Sequence, residues 1–282
     1  LFVPFPIPHN TKQYRISGYE LTEQFGNFAC ILSYFFRMNL VLDIGNTHTK
    51  AGWFELGHLT EIQRFEAFTK ELWVCLLEKN PVEMVLVSTV RKTDRDVFKS
   101  SKFAVKKLLF LDHNIPLPLK IVYSTPETLG HDRIAAAVGA KCIYPGYPLL
   151  IMDMGTAITI DFVSFEGEYK GGNISPGLEA RFRALHDYTE RLPLVKRDSS
   201  YPEFGNNTRT AMVAGVQQGI IQELNGYIAR FEDSYPDCRI VVTGGDSAFF
   251  VPKLKKPIFA HPDLVLTGLN HILEHNNPQI RQ

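Results

Sequence analysis

Residues 40–57 read LVLDIGNTHTKAGWFELG, and residues 150–167 read LIMDMGTAITIDFVSFEG. Each begins as an apolar run that stops at a carboxylate, Asp43 or Asp153, with a glycine two positions on and hydroxyl residues after it. Each resumes as a second apolar run and ends at a turn glycine, Gly57 or Gly167. Runs of this length and composition read as strands. A plan that recurs about one domain apart marks a duplicated fold, not a short solenoid unit.

Outward from the first copy, NLVLDIG, THTKAGWFEL and HLTEIQRFEAF read as three successive strands, with Gly57 turning the second into the third. Thr69–Asn80 reads as a helix, VEMVLVST as a buried strand, Lys92–Ser101 as a helix, and LLFL and KIVY as short strands. Gly130–Ile143 carries Ile134, Ala137, Val138 and Cys142 at helical spacing. Around the second copy the strands continue through YKGG, followed by helices at Pro176–Tyr188 and Thr208–Asp233. RIVVTGGDSAFF reads as strand, Gly-Gly turn and helix, and Asp263–Leu273 as a closing helix. The expectation is an α/β chain of two βββαβ-like halves, 38–147 and 148–282, facing a cleft. Residues 1–37 read as an extension outside the native core, because Met38 stands directly before the first convincing strand.

A hairpin opening on Asp-x-Gly offers main-chain N–H groups with no Cβ in the way. Asn46, Thr47 and Thr49 add neutral donors, and Lys50 reaches as a point charge. The aspartate cannot bind phosphate itself, but it can hold a hydrated Mg²⁺ that does. The pattern therefore suits a polyphosphate with its counter-ion. The Gly244-Gly245 turn suits close approach of main chain to a flat nucleotide. On spacing alone, Asp132 compensates the dipole of the helix it opens, and Arg133 is its solvated neighbour.

These residues carry a resemblance. From Met38 on, the chain resembles the type III pantothenate kinases of the actin/hexokinase/Hsp70-type ATPase superfamily. The matching stretches are DIGNTHTK at 43–50, YSTPETLGHDR at 123–133, DMGTAITIDF at 153–162, YKGGNISPGL at 169–178, YTERLP at 188–193 and VVTGG at 241–245. The resemblance implies duplicated actin/ribonuclease-H-like domains, mixed sheets flanked by helices around a central cleft. It implies ATP-dependent phosphorylation of pantothenate, the first step of coenzyme A biosynthesis. The other reading is a non-catalytic nucleotide- or pantothenate-binding regulator on the same fold.

The resemblance also distributes roles. ATP falls to Asp43, Ile44, Gly45, Asn46, Thr47, His48, Thr49, Lys50 and Thr156. The acceptor falls to Tyr123, Gly130, His131, Asp132, Arg133 and Thr189, with His131 in the motif's variable place. Asp132 takes the proton of the attacking hydroxyl, late in a loose transition state. Asp43 serves Mg²⁺ through water, and Asp153 a monovalent cation, K⁺ or NH₄⁺. The resemblance implies a homodimer as well, while the scattered cysteines fit reduced thiols in a cytoplasm.

Composition sets the remaining bounds. Thirty basic and thirty acidic residues cancel, which speaks against nucleic acid as the main partner. No apolar run reaches the ~18 residues of a membrane span, so no membrane partner is expected. Cys30, Cys75, Cys142 and Cys238 form no CxxC pair and read as reduced, buried, small apolar side chains.

Overall fold

The computed structural model describes residues 14–16, 19–21, 38–45, 48–89, 96–99, 105–255 and 257–277. Of the 1–37 extension it describes two short strands, β1 (Tyr14–Ile16) and β2 (Tyr19–Leu21), which pair antiparallel with each other.

The first repeat folds as three antiparallel strands: β3 (Met38–Ile44), β4 (Thr49–Glu55) and β5 (His58–Phe65). Helix α1 (Lys70–Lys79) follows, its start fixed by the Thr69 hydroxyl, which accepts from the Leu72 N–H at 3.2 Å. Strand β6 (Val82–Thr89) then returns parallel to β3. Within the expected Lys92–Ser101 helix only α2 (Asp96–Lys99) is described. Strand β7 (Lys107–Phe110) completes a five-stranded sheet of order β5-β4-β3-β6-β7. The short β8 (Lys120–Ile121) crosses over to the other sheet. Helix α3 (His131–Ile143) follows it.

The second repeat copies the plan with β9 (Leu149–Met154), β10 (Ala157–Val163) and β11 (Glu168–Pro176). Strand β11 runs to Pro176, which pairs with Ala157, so the next helix, α4 (Leu178–Asp187), begins two residues later than its sequence suggests. Helix α5 (Thr208–Ser234) opens on a reciprocal cap between Asn207 and Thr210. Strand β12 (Arg239–Thr243) lies parallel to β9, and after the short α6 (Ser247–Phe250) comes β13 (Phe259–Ala260). The sheet order is β13-β12-β9-β10-β11-β8, with β8 covering β11 only at Glu168 and Tyr169. Helix α7 (Leu264–His275) ends the described chain.

Strand alternation sorts the core into three layers. Leu40, Leu42 and Ile44 of β3 pack outward with Trp53, Trp73, Leu76 and Phe98. Leu150, Met152 and Met154 of β9 pack outward with Phe182 and the α5 stripe Met212, Val216, Ile220 and Leu224. The intervening residues, Val41 on β3 and Leu149 and Ile151 on β9, meet in a middle layer filled by α3 and α7. Those two helices touch backbone to backbone: a Cβ on Gly268 would lie 1.7 Å from the Ala135 carbonyl oxygen, and one on Gly139 2.6 Å from that of Leu264. Helix α7 also packs on β3, β4 and β6, so the last helix in sequence lies against the first sheet. A buried amide contact, Asn39 Nδ2 to Asn270 Oδ1 at 2.8 Å, fixes it there.

One reading needs correction. Cys75 and Cys142 are exposed, and only Cys238 is buried among the described thiols. Cys75 follows the buried Trp73 on α1 by two positions, and Cys142 lies beyond the last buried residue of α3, Ala140, so neither falls on its helix's buried stretch. No helix among the described residues is long and apolar enough to cross a membrane.

The α3–α7 contact predicts a contrast between two glycines. Gly268→Ala has no room and should cost at least about 3 kcal/mol, at the high end for single substitutions. Gly226→Ala on α5 meets nothing within 4 Å and should stabilise by about 0.5–1 kcal/mol. Denaturant melts of the two variants check this; equal effects would refute the close contact.

Candidate active site

Alternation that builds the middle layer also aims the two aspartates. Asp43 shares the face of Val41, and Asp153 shares the face of Leu149 and Ile151. Both carboxylates therefore look into the layer held by α3, whose first turn carries Asp132. Burial pushes Asp43 up to about 6, with Lys50 pulling against that and Asp132 adding to it. Burial pushes Asp153 up to about 6 as well, reinforced by Asp132, opposed by Lys50 and reinforced by Asp43 and Asp161. Three carboxylates from two repeats and one helix thus share one field with a single lysine.

The two hairpins are alike but not identical. Gly45 N–H donates to the His48 carbonyl at 3.0 Å, and Gly155 N–H donates to that of Ala157 at 3.1 Å. Ile44 pairs with Thr49, whereas Met154 pairs with Ile158, so the second hairpin is one residue shorter. Ungapped alignment of the repeats hides this shift. In space Lys50 stands opposite Asp43, while Thr159 stands opposite Asp153. The second aspartate has no cross-strand cation.

Not every expected phosphate contact survives. Ile44 and Thr49 are buried on the outward face, so only their main chains remain for a ligand. The Gly45 N–H is already bonded within its turn. His48 and Thr156 are exposed at the two hairpin tips. Asn46 and Thr47 lie outside the described residues. Gly244 closes the second hairpin from below: its φ is +95°, and a Cβ there would sit 2.5 Å from Asp153 Oδ1. Only glycine serves in that position.

On the acceptor side, Gly130 caps α3, and its carbonyl accepts from Ile134 N–H at 3.1 Å. Asp132 is exposed, its Oδ1 bonded only to the Arg133 N–H at 2.9 Å among the described residues. His131 is partly buried beside Asp132, Asp112, His113 and the Thr89 main chain, and burial holds its pKa below the usual value. Arg133 is not the solvated neighbour that spacing suggests. It is 6% exposed and donates through Nε (3.0 Å) and Nη2 (2.5 Å) to Oδ1 of Asp161. Burial opposes its charge, but Asp161 outweighs burial and the pKa is raised. Tyr123 faces the same guanidinium and packs edge-on to Tyr169, centroids 6.2 Å apart.

Thr189 is not with this group. Its hydroxyl donates to the Leu185 carbonyl at 2.7 Å, and it lines a groove of about 640 Å³ between α4 and α5 with Tyr188, Met212 and Val216. Asp161 and Tyr169 are the residues sequence reasoning missed. The available signal was a charged residue inside the apolar run ITIDFV, which demands a buried partner.

The donor set fits a magnesium ion in one particular way. No group of three or more His, Cys, Asp or Glu side chains among the described residues is close enough to hold a metal. Carboxylates that are negative in excess yet not caged suit an ion that keeps its waters and shares substrate phosphates.

Raised carboxylates oppose folding when ionised. The folded chain takes these protons near pH 6, the unfolded chain near 3.8, so the penalty is full at neutral pH and fades as pH falls from about 6 towards 4. In EDTA at pH 8, Asp43→Asn and Asp153→Asn should each melt above wild type by about 2–4 °C, roughly 1 kcal/mol. The gain should shrink at pH 5. Unchanged or lower melting at pH 8 would refute the burial account.

Comparison with known proteins gives the following. The family model described as type III pantothenate kinase matches residues 39–230. A type III pantothenate kinase of Bacteroides fragilis is 43% identical over 243 residues, covering 86% of this chain and 100% of that protein. One from Cytophaga hutchinsonii is 39% identical, covering 85% of this chain and 100% of the relative. Among solved structures, a Campylobacter jejuni protein described as a Baf family transcriptional activator superposes with a TM-score of 0.55 at 21% identity, covering 84% of this chain and 98% of the other. A Listeria monocytogenes protein described as an N-acetylmannosamine kinase gives 0.50 at 15% identity, covering 85% and 100%. The structural likenesses speak to fold alone, and the fold is the duplicated actin-like one.

Proposed function

The chain belongs to the type III pantothenate kinase family and phosphorylates pantothenate from ATP, the first step of coenzyme A biosynthesis; from that premise we propose which of its side chains carry the transfer. Asp132 is the base. The observation that carries this is its exposed carboxylate at the start of α3, in the field shared by Asp43 and Asp153. A carboxylate there orients the acceptor hydroxyl and receives its proton as the bond to phosphorus forms. Tyr123 and Arg133 hold the acceptor's polar end, Arg133 through directed donors. Lys50 and the hairpin tips at His48 and Thr156 meet the triphosphate, together with the Asn46-Thr47 segment. The two halves 38–147 and 148–282 supply one hairpin each.

Asp43 and Asp153 are the cation-holding residues, and their roles differ. Lys50 opposite Asp43 leaves that site for a water-shared Mg²⁺, while the neutral Thr159 opposite Asp153 leaves a charge that a monovalent cation, K⁺ or NH₄⁺, offsets. When bound, the two cations supply counter-charge to the phosphates and to the crowded carboxylates.

The active form is a homodimer closed over the α4–α5 groove. Tyr188, which lines it, is 89% exposed, and Phe204, four residues before α5, is 84% exposed. A second copy there would bring its own Thr189 to the boundary. The exposed thiols Cys75 and Cys142 suit a reducing compartment, the cytoplasm.

Protein mixed with ATP, Mg²⁺, K⁺ and pantothenate should release ADP only when pantothenate is present. Phosphate at full rate without it would identify a hydrolase instead. Asp132→Asn should lower kcat by roughly 10²–10⁴ with little change in ATP binding; near-native turnover would remove Asp132 as base. Activity indifferent to K⁺ and NH₄⁺ would undo the role of Asp153. Light scattering of Tyr188→Glu should give half the mass of the native particle, and an unchanged mass would exclude that face.

A further inference from the structure

Asp161 is 1% exposed and sits in the middle of β10, opposite Ile151 on one side and Gly172 on the other. Three donors converge on its Oδ1: Nε and Nη2 of Arg133, at 3.0 and 2.5 Å, and the Tyr169 hydroxyl at 2.6 Å. Its Oδ2 is buried and has no hydrogen-bond partner among the described residues. As a device for stability this is poor. A buried ion pair seldom outperforms an apolar pair of similar volume, and an unpaired buried acceptor is costly. As a device for geometry it is good, because a strand-borne carboxylate fixes two of the guanidinium's three nitrogens.

The surroundings say what that geometry prevents. Arg133 follows Asp132 directly, and Asp43 and Asp153 lie in the same field with Lys50 as the cation acting on both. A guanidinium freed from Asp161 would be drawn to those carboxylates, Asp132 first. The aromatic walls reinforce the fixed pose: the guanidinium carbon lies 6.0 Å from the Tyr169 ring centroid, and Tyr123 stands edge-on to that ring.

We propose that Asp161 is a positioning residue for the acceptor: with Tyr169 it grips Arg133 from behind, presents the side of the guanidinium that Tyr123 faces to pantothenate and keeps it off Asp132. This rests on the reading of Arg133 as the acceptor's partner. It gives no role in ATP binding to either Asp161 or Tyr169.

Steady-state kinetics with each substrate varied, on the full chain, test this in a cycle of Asp161→Asn, Arg133→Ala and the double variant. Asp161→Asn keeps the side chain's shape and one acceptor oxygen. It should raise KM for pantothenate about tenfold while KM for ATP stays within about twofold, and in the Arg133→Ala background it should add less than about twofold. A purely structural role predicts parallel loss for both substrates; that result, or equal cost in both backgrounds, overturns the proposal. Should Asp161→Asn fail to fold, Tyr169→Phe removes one donor and keeps the ring. A rise of about threefold in KM for pantothenate, absent when Arg133 is alanine, supports the clamp; no rise overturns it. Arg133→Ala with native KM for pantothenate would instead sink the acceptor reading itself, and the clamp with it.

Discussion

The backbone contact between α3 and α7 is what the rest of the molecule depends on. Gly139 and Gly268 let the helices approach to main-chain distance, so the pair is thin enough to sit between two sheets and pack on both. Because one helix pair serves both sheets, the strand ends carrying Asp43 and Asp153 are fixed relative to each other and to the first turn of α3. A looser pair would part the hairpins. The approach of these three carboxylates is therefore a consequence of core packing more than of the loops themselves.

Charge is the second organising term, and it works against stability. Asp43 and Asp153 are both held near pH 6 by burial, and Asp132 makes each worse. Such groups are retained where chemistry needs them. Lys50 offsets only part of this, so the folded chain carries a surplus of negative charge at the hairpin ends. Arg133 escapes this economy because Asp161 neutralises it locally.

Much of this was legible in the sequence. The strand runs, the long helix from Thr208, and the two Asp-x-Gly turns follow from period and turn chemistry, because each is a local property. What was not legible depended on distant partners. Arg133 looks solvated on a helix start, and only its meeting with Asp161 of β10 explains its burial. The one-residue difference between hairpins is invisible in an ungapped alignment and appears only in strand register. Ile44 and Thr49 belong to a phosphate-binding motif by spelling, yet alternation turns their side chains away from it. The start of α4 slipped because a proline at 176 reads as a helix opener, whereas register with Ala157 keeps it in the sheet.

Strand β11 carries a further consequence. Beyond Tyr169 no strand pairs with it on its outer side among the described residues, and Ile174 there is 64% exposed. An open rim of that kind is a template onto which a foreign strand can be recruited, and crowding raises the risk. Lys170 and Pro176 bracket the rim, one by charge and the other by lacking an amide hydrogen. Conditions that loosen this bracket are those under which the protein would first aggregate.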